Sequence, residues 1–335
     1  MRIWNLNNLN LNNLNLNKTI KPQNQPIYSI DFHHNNKEFI TAGWDGTVNI
    51  WKNNQQAKSF KAHQNIISAI KFSHNGKIIA TASADKTVKL WNAKTHQLIL
   101  TLTGHQDRIT SISFTPNDQI IATGSTDKTA KLWQLNDGKL IHTFIGHNDE
   151  ITSIDITSNN TYLATASADN TIKIWHLDGT LQKTIAAHKS LISTITFSPN
   201  NQTLASASWD NSIKIWQVNN GKLINTLTEH SDGVTSLNFT PDSQILASGS
   251  ADNTIKLWNL ADGTSLKTLI GYPSQINAIA FSSDTKTLIS GGETDGVMIW
   301  NLDLDNLIQQ SCTKVKDYLE NNRDVKQNDR NLCRN

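Results

Sequence analysis

Apolar and polar residues alternate in short segments along most of the chain. Residues 109–114, for example, read ITSISF, and β-branched residues are frequent in such segments. This alternation, which has a period of two residues, predicts short β-strands with one face buried. Turn sequences separate the segments, among them TPND at 115–118 and ADKT at 84–87, and both suit tight connections. Asp-Gly or Asn-Gly pairs, typical of tight hairpins, begin at Asp137, Asp178, Asn220 and Asp262. The pattern predicts four antiparallel strands per unit, with no helix between units.

The strand segments belong to a repeated unit that ends in tryptophan. The unit GHQDRITSISFTPNDQIIATGSTDKTAKLW ends at Trp133, and its counterpart EHSDGVTSLNFTPDSQILASGSADNTIKLW ends at Trp258. Seven tryptophans follow one another at steps of 40 to 42 residues: Trp51, Trp91, Trp133, Trp175, Trp216, Trp258 and Trp300. A period of this length indicates a repeat architecture rather than unrelated domains.

Five units also carry the same polar residues at the same places. A histidine precedes an aspartate by 22 residues, and the aspartate lies two residues after a serine and six before the tryptophan. The sets are His63, Ser83, Asp85, Trp91; His105, Ser125, Asp127, Trp133; His147, Ser167, Asp169, Trp175; His188, Ser208, Asp210, Trp216; and His230, Ser250, Asp252, Trp258.

A period of about 40 to 45 residues with a Gly-His and Trp signature is typical of WD repeats, and residues 14–302 resemble that family. The resemblance implies an all-β fold: a seven-bladed β-propeller whose blades are twisted, four-stranded antiparallel sheets around a central channel. It also implies that the twenty residues of the five sets form a hydrogen-bonded chain of Trp, Ser, His and Asp inside each blade.

The recurring histidines invite two chemical interpretations. A metal needs three or four ligands that converge on one point, and histidines spread one per blade cannot converge. A Ser-His-Asp set also has the residue types of nucleophilic catalysis. An enzyme needs one such site, however, whereas this set recurs five times. We therefore expect a structural network, no metal, no cofactor and no catalytic residue.

Two units depart from the pattern. In the first, Gln23 and Gly43 stand at the His and Ser positions, and in the last Tyr272, Gly292 and Thr294 replace His, Ser and Asp. We expect the hydrogen-bonded chain to be absent from these two blades. They would be neighbours where the ring closes, and terminal repeats are commonly atypical.

The closing blade needs a strand from the other end of the chain. After Trp300 the sequence favours an amphipathic α-helix over residues 303–322, so the last unit lacks its own outer strand. Residues 14–21, LNLNKTIK, match the outer-strand segments LQKTIAAH and SLKTLIGY of other units. They are predicted to cross over and complete the last blade, which leaves residues 1–13 as a low-complexity arm and 323–335 as a polar tail.

The two ends allow more than one interpretation. Arg2-Ile3-Trp4 matches the third strand of a unit but has no place in a seven-bladed ring. It is either part of a linker arm or the end of a preceding repeat in a longer protein. Residues 303–322 and the NDRNLC that follows resemble the end of the last repeat in large cyanobacterial WD-repeat signalling proteins. The alternative is any amphipathic helix packed on the propeller.

Composition and charge narrow the classes of partner that the protein could bind. The net charge is +2, and no run of five or six like charges suggests nucleic acid or an anionic membrane surface. No stretch of 18 apolar residues could span a membrane, and the N-terminus lacks the apolar core of a signal peptide. The two cysteines, Cys312 and Cys333, lie outside the repeats, so no disulfide framework is expected. A cytoplasmic location is the expectation.

The resemblance also suggests which face binds a partner. The position before each structural aspartate lies at the rim of that face in the family, and it is tryptophan at Trp44 and Trp209 only. Tyr28 and Arg108 are expected near the channel mouth. Exposed Trp, Tyr and Arg dominate binding hot spots, so these four residues are the candidate contacts. Alternatively, each indole covers a neighbouring blade, and Arg108 pairs with Glu150 of the next blade.

The sequence therefore predicts a non-catalytic scaffold or sensor propeller that binds a protein or peptide, either on its own or as the C-terminal part of a larger signalling protein. One alternative is a decayed fragment with no function of its own, and another is an enzyme that uses the channel mouth. Neither the partner's identity nor an oligomeric state follows from the pattern.

Overall fold

The repeats fold into one ring of seven sheets. The computed structural model describes residues 16–20, 25–294 and 296–303, and all regular elements among them are β-strands, numbered β1 to β28 in chain order. Each sheet has four antiparallel strands. The predicted seven-bladed propeller is therefore confirmed. The short C-terminal α-helix and the polar tail were predicted for residues that lie outside the described ones, apart from Asp303.

The strands follow one another along the chain, four to a blade, from the innermost strand to the outermost. Strand β1 spans Leu16–Ile20. Blade 1 comprises β2 Ile27–Phe32, β3 Glu38–Gly43, β4 Thr47–Lys52 and β5 Gln55–Lys61. Blade 2 comprises β6 Ile67–Phe72, β7 Ile78–Ser83, β8 Val88–Asn92 and β9 Leu98–Leu102. Blade 3 comprises β10 Ile109–Phe114, β11 Ile120–Ser125, β12 Thr129–Gln134 and β13 Leu140–Ile145. Blade 4 comprises β14 Ile151–Ile156, β15 Tyr162–Ser167, β16 Thr171–His176 and β17 Leu181–Ala186. Blade 5 comprises β18 Ile192–Phe197, β19 Thr203–Ser208, β20 Ile213–Gln217 and β21 Leu223–Leu227. Blade 6 comprises β22 Val234–Phe239, β23 Ile245–Ser250, β24 Ile255–Asn259 and β25 Ser265–Leu269. Blade 7 comprises β26 Ile276–Phe281, β27 Thr287–Gly292 and β28 Val297–Asn301, together with β1.

Blade 7 is closed by the N-terminal strand, as the sequence predicted. Strand β1 pairs antiparallel with β28, with Ile20 opposite Val297 and Leu16 opposite Trp300. The outermost strand of the last blade therefore comes from the opposite end of the repeat array. This pairing covers the edge of β28, which would otherwise present unpaired backbone groups.

The hydrophobic core lies between the blades rather than inside a single sheet. At the junction of blades 2 and 3, for example, Leu90 and Leu102 of one blade pack with Ile109, Phe114 and Trp133 of the other. A comparable cluster fills each of the other junctions. Because every blade has a neighbour on both faces, its middle strands are buried on both sides. This arrangement explains why β7, which contains Ala80 and Ala82, is almost entirely buried.

Side chains also join the innermost strands across the channel wall. The hydroxyl of Thr110 donates to the carbonyl of Ile151 in the next blade at 2.6 Å, and Thr152 bonds Ile192 in the same way. Lower in the channel, Asp155 accepts the backbone N–H of Phe197 at 2.8 Å. The inner strands have no sheet partner on the channel side, so these contacts satisfy backbone groups that would otherwise be left as an open edge. Within the described residues, no helix is long and apolar enough to cross a membrane.

Candidate binding face at the channel mouth

The polar residues of each repeat form a directed chain, seen clearly in blade 4. Trp175 Nε1 donates to Thr165 Oγ1 at 2.9 Å, and the same hydroxyl lies 2.8 Å from His147 Nε2. On the other side of the ring, His147 Nδ1 lies 3.0 Å from Asp169 Oδ2. The two ends of the chain set the directions of the bonds between them. Because the indole can only donate and an ionised carboxylate can only accept, the neutral imidazole carries its proton on Nδ1, pointing at Asp169, and its Nε2 accepts from the threonine hydroxyl.

The same chain recurs in the other four blades in which the sequence placed it. Histidine-to-aspartate distances are 2.7 to 3.1 Å, and histidine-to-hydroxyl distances are 2.7 to 2.8 Å. The structure thus brings the predicted His, Asp and Trp residues together in each set. The hydroxyls that link them are Thr81, Thr123, Thr165, Ser206 and Ser248.

The predicted serines are not the linking hydroxyls, and this part of the prediction was wrong. Ser83, Ser125, Ser167, Ser208 and Ser250 lie two residues further on, at the ends of their strands. There each serine accepts the backbone N–H of its aspartate at 3.0 to 3.1 Å. The reason is the strand period. Residues 81 and 83 lie on the same side of β7, so the regular spacing along the sequence fits either hydroxyl. Only the hydroxyl of Thr81 is within hydrogen-bond distance of both Trp91 and His63.

The charge states follow from burial and hydrogen bonding. Burial lowers the pKa of His63, His147, His188 and His230, although the adjacent aspartate opposes this effect. These imidazoles are therefore neutral at pH 7. Burial alone would raise the pKa of Asp169, but hydrogen bonds from Thr171, the Asn148 N–H and His147 outweigh it and lower that pKa to about 2. The pKa of Asp210 is lowered to about 2 in the same way.

These chains are placed to fix loops rather than to carry out chemistry. The linking hydroxyls, such as Thr81 and Ser206, are fully buried, and each already contacts both an indole N–H and an imidazole. A buried hydroxyl with these partners cannot reach a substrate in solution. Across the described residues, no group of three or more His, Cys, Asp or Glu side chains is placed to hold a metal ion.

Blades 1 and 7 retain part of the chain, which corrects the expectation that it is absent from both. In blade 7 the Tyr272 hydroxyl donates to Ser290 Oγ at 2.6 Å, and Trp300 Nε1 donates to the same oxygen at 2.8 Å. Tyrosine thus reaches the hydroxyl that histidine contacts elsewhere. In blade 1, Trp51 Nε1 donates to Thr41 at 3.0 Å, and the Gln23 position lies outside the described residues.

One face of the ring carries a shallow depression at the mouth of the channel, with a volume of about 330 Å³. All seven blades contribute to its wall, because the first strand of each blade begins there. The candidate contacts Tyr28, Arg108 and Trp209 line it, together with Glu150 and Leu191. Trp44 does not line the depression but lies beside it, with its ring 6.5 Å from that of Tyr28.

Both rim tryptophans are exposed to an unusual degree. Trp44 is 53% exposed and Trp209 is 43% exposed. Trp209 lies over Gly233 of the next blade, where an added Cβ would come within 2.5 Å of the indole. One side of this ring therefore covers a neighbouring blade, as the alternative interpretation held, while much of the ring remains open to solvent. The polar chain holds its position, because Trp209 directly precedes Asp210, the partner of His188.

Charged groups surround Tyr28. Partial burial raises the pKa of its phenol, the nearby carboxylate of Glu293 raises it further, and Arg108 acts in the opposite direction. Arg108 is exposed, and its Nε donates to Ser68 of blade 2 at 3.2 Å. The predicted alternative of an ion pair between Arg108 and Glu150 does not occur among the described residues. The mouth thus combines an aromatic edge with charges of both signs.

Sequence reasoning missed the hydroxyl ring of the mouth. Its members occupy the second position of the first strand in their blades and line the depression: Ser68, Thr110, Thr152, Ser193 and Thr235. The signal was present as a Ser or Thr at the same place in five repeats. It was not separable from ordinary strand composition, in which threonine and serine on a solvent-facing position are common.

A comparison with models of protein families agrees with this fold. The family model described as "WD domain, G-beta repeat" matches residues 14–52, 54–92, 96–134, 138–176, 179–217, 221–259 and 263–301. These seven matches cover most of the chain and correspond to the seven tryptophan-ended units. The protein belongs to the WD40 repeat family, whose propellers typically serve as protein-interaction scaffolds and are generally non-catalytic. No curated protein matches the chain.

Proposed function

We propose that this propeller is a non-catalytic platform that binds a protein or peptide at the channel mouth. The observation that carries the proposal is the pair of exposed tryptophans, Trp44 and Trp209, at the rim of a depression lined by Tyr28 and Arg108. Tryptophan at this position is not needed for the repeat, because four other blades have Ala or Thr there. Large exposed aromatic rings on rigid turns are the typical anchors of binding hot spots.

The chemistry of the mouth favours a peptide with both apolar and polar side chains. Two indoles offer apolar contact, while Arg108, Glu150 and Glu293 offer charge of both signs. A single-signed polyanion has no matching surface here, since Arg108 is the only cationic residue among those lining the depression. A cytoplasmic location and a place within a signalling protein remain predictions of the sequence.

Selection from a displayed peptide library on the full-length protein would test the proposal without knowledge of the natural partner. Peptides that bind are then measured against Trp44→Ala and Trp209→Ala. If the indoles are central anchors, each change should weaken binding by about 2 kcal/mol, or roughly 30-fold. Ile99→Ala is the matched control, because Ile99 is 52% exposed but lies on the outer strand β9.

The control variant should bind as the unchanged protein does. Selected peptides that bind all three variants equally would mean that the mouth is not the binding face, and the proposal would then be wrong. Failure to select any peptide from a diverse library would also count against it.

A further inference from the structure

The opposite face of the ring has a second groove, between blades 1 and 2, with a volume of about 460 Å³. It lies at the turns that follow the first and third strands, whereas the mouth lies where the first strands begin. Its wall includes His33, Asn35 and Glu38 of blade 1. The basic residues that line it are Lys52, Lys58, Lys94 and His96.

His96 marks this groove as unlike the other blade junctions. It occupies the turn between the third and fourth strands, where its N–H bonds the carbonyl of Asn92. Gly138, Gly221 and Gly263 make the same bond in the corresponding turns of blades 3, 5 and 6. Those glycines have φ of 69° to 75°, and His96 has φ of 62°. A histidine in this left-handed region costs backbone energy that glycine avoids.

The neighbouring outer strand, β5, supplies a lysine at this junction. At the blade 2–3 junction, a Cβ on Gly138 would come within 2.9 Å of Leu100. Leu100 pairs with Leu90 in its blade, and the residue in that register in blade 1 is Lys58, which pairs with Ile50. The same register position is polar or basic in blades 3 to 6, where it holds His142, Lys183, Asn225 and Lys267. Lys183 lies against Gly221 in the next turn, whereas Lys58 shares its groove with His96. Lys58 and His96 together place two basic side chains along the groove.

The basic groups are only partly neutralised. Glu38 forms an ion pair with Lys52 at 2.9 Å. Within the described part of the chain, the ammonium groups of Lys58 and Lys94 have no ion-pair or hydrogen-bond partner. Burial and the charge of Lys58 lower the pKa of His96, and Glu38 opposes them, so the charge of Lys58 acts on the groove.

The ring of His96 is set to donate into the groove. Its Nδ1 is buried and has no hydrogen-bond partner among the described residues. A buried unpaired N–H is more costly than an unpaired lone pair, so the proton of the neutral ring belongs on Nε2. The side chain is only partly buried and lines the groove, which makes Nε2–H its accessible donor.

We propose that this groove binds a phosphate group, held by Lys58, Lys94 and His96. Three separate single donors suit the several oxygens of a tetrahedral dianion, whereas a planar carboxylate is better matched by the paired donors of arginine. No arginine lines the groove. The ligand class is therefore a small phosphorylated molecule or a phosphorylated side chain, and the site is separate from the mouth.

Inorganic phosphate is the probe, added to the full-length protein at constant ionic strength with chloride or succinate as comparison anions. Nuclear magnetic resonance of the His96 imidazole should show a saturable shift with phosphate, and the pKa of His96 should rise because the dianion offsets the charge of Lys58. His96→Gly and Lys58→Gln should each weaken phosphate binding at least tenfold, as measured by isothermal titration calorimetry because His96→Gly removes the imidazole signal. His96→Gly restores the residue found in three other blades, so it should fold normally. Lys139→Gln, an exposed lysine beside the equivalent turn of blade 3, is the matched control and should leave binding unchanged.

Three results would overturn the proposal. The first is the absence of a saturable shift at His96, and the second is equal binding of succinate and phosphate. The third is loss of binding in Lys139→Gln as large as in Lys58→Gln, which would indicate general charge attraction. Because none of these variants touches Trp44 or Trp209, peptide binding at the mouth is expected to survive in all of them.

Discussion

At the scale of single residues, one buried hydroxyl group in each blade contributes more to the stability of the fold than its size suggests. The hydroxyl of Thr165 is a hydrogen-bond partner that His147 Nε2 and Trp175 Nε1 share. All three groups are buried. Loss of that hydroxyl would leave a buried donor and a buried acceptor without partners, and such groups cost about 1 to 3 kcal/mol each.

We therefore predict that Thr165→Val lowers the free energy of unfolding by about 2 to 4 kcal/mol, although valine fills nearly the same volume. Thr165→Ser is the matched control, because blades 5 and 6 already use Ser206 and Ser248 at this position. It should cost less than about 1 kcal/mol, the value of one buried methyl group. Urea denaturation of both variants measures the difference, and equal losses would show that packing rather than the hydroxyl matters.

The same residues show how far the sequence could specify the candidate site. Spacing alone located His147, Asp169 and Trp175, because one interval recurs in five units. It could not decide between Thr165 and Ser167, since both lie on the same side of β15 and only the level of the neighbouring side chains separates them. Nor could spacing reveal Tyr272 as a partner of Ser290, because a longer side chain reaches that oxygen from the histidine position.

At the scale of elements, strand closure is the feature in which sequence and structure agree most closely. The match between LNLNKTIK and other outer strands predicted a crossing, and β1 pairs with β28 through four residue pairs. The groove between blades 1 and 2 was not predictable in this way. It depends on the register that pairs Lys58 with Ile50 and brings it into the groove lined by His96, and that register is a property of paired strands rather than of a motif.

Removal of β1 should open the ring. At about 0.5 to 1.5 kcal/mol per hydrogen bond, the four paired positions of β1 imply a loss of roughly 2 to 6 kcal/mol. A variant that lacks residues 1–20 should therefore unfold at a lower temperature and self-associate through the exposed edge of β28. A variant that lacks only residues 1–15 keeps β1 and is the control. Thermal unfolding with light scattering tests both, and identical behaviour would show that β1 does not close the ring.

At the scale of the whole molecule, blades are held together by contacts that repeat around the ring. Each junction has its own apolar cluster, and side chains such as Thr110 and Asp155 join one inner strand to the next. No blade has an independent core, so loss of one junction weakens its neighbours. We expect repeated groups with the same pKa shift to act in the same direction on the stability of the entire ring.

That expectation gives a pH dependence with a definite sign. Burial lowers the pKa of four histidines in the folded state, so below about pH 6.5, the ordinary histidine pKa, the unfolded chain binds protons that the folded chain does not. Stability must then decrease as pH falls. The aspartates add to this at lower pH, because the pKa of Asp169 and of Asp210 is about 2 in the folded state. Their contribution is present above the unfolded value near 3.9 and is lost as pH falls towards 2.

We predict that the urea midpoint is nearly constant from pH 8 to 7 and then decreases steadily from pH 6.5 to 5. His147→Gln removes one titrating group, so its slope of unfolding free energy against pH should be smaller by up to about 1.4 kcal/mol per pH unit. The test compares the slopes of unfolding free energy against pH rather than the absolute stabilities, because the variant also loses its hydrogen bonds to Thr165 and Asp169. A midpoint that stays constant or rises down to pH 5 would mean that the histidines are charged in the folded ring. The Nε2–H of His147 would then donate to Thr165 Oγ1, the reverse of the direction inferred for the neutral ring, and that hydroxyl would donate to the Lys173 carbonyl.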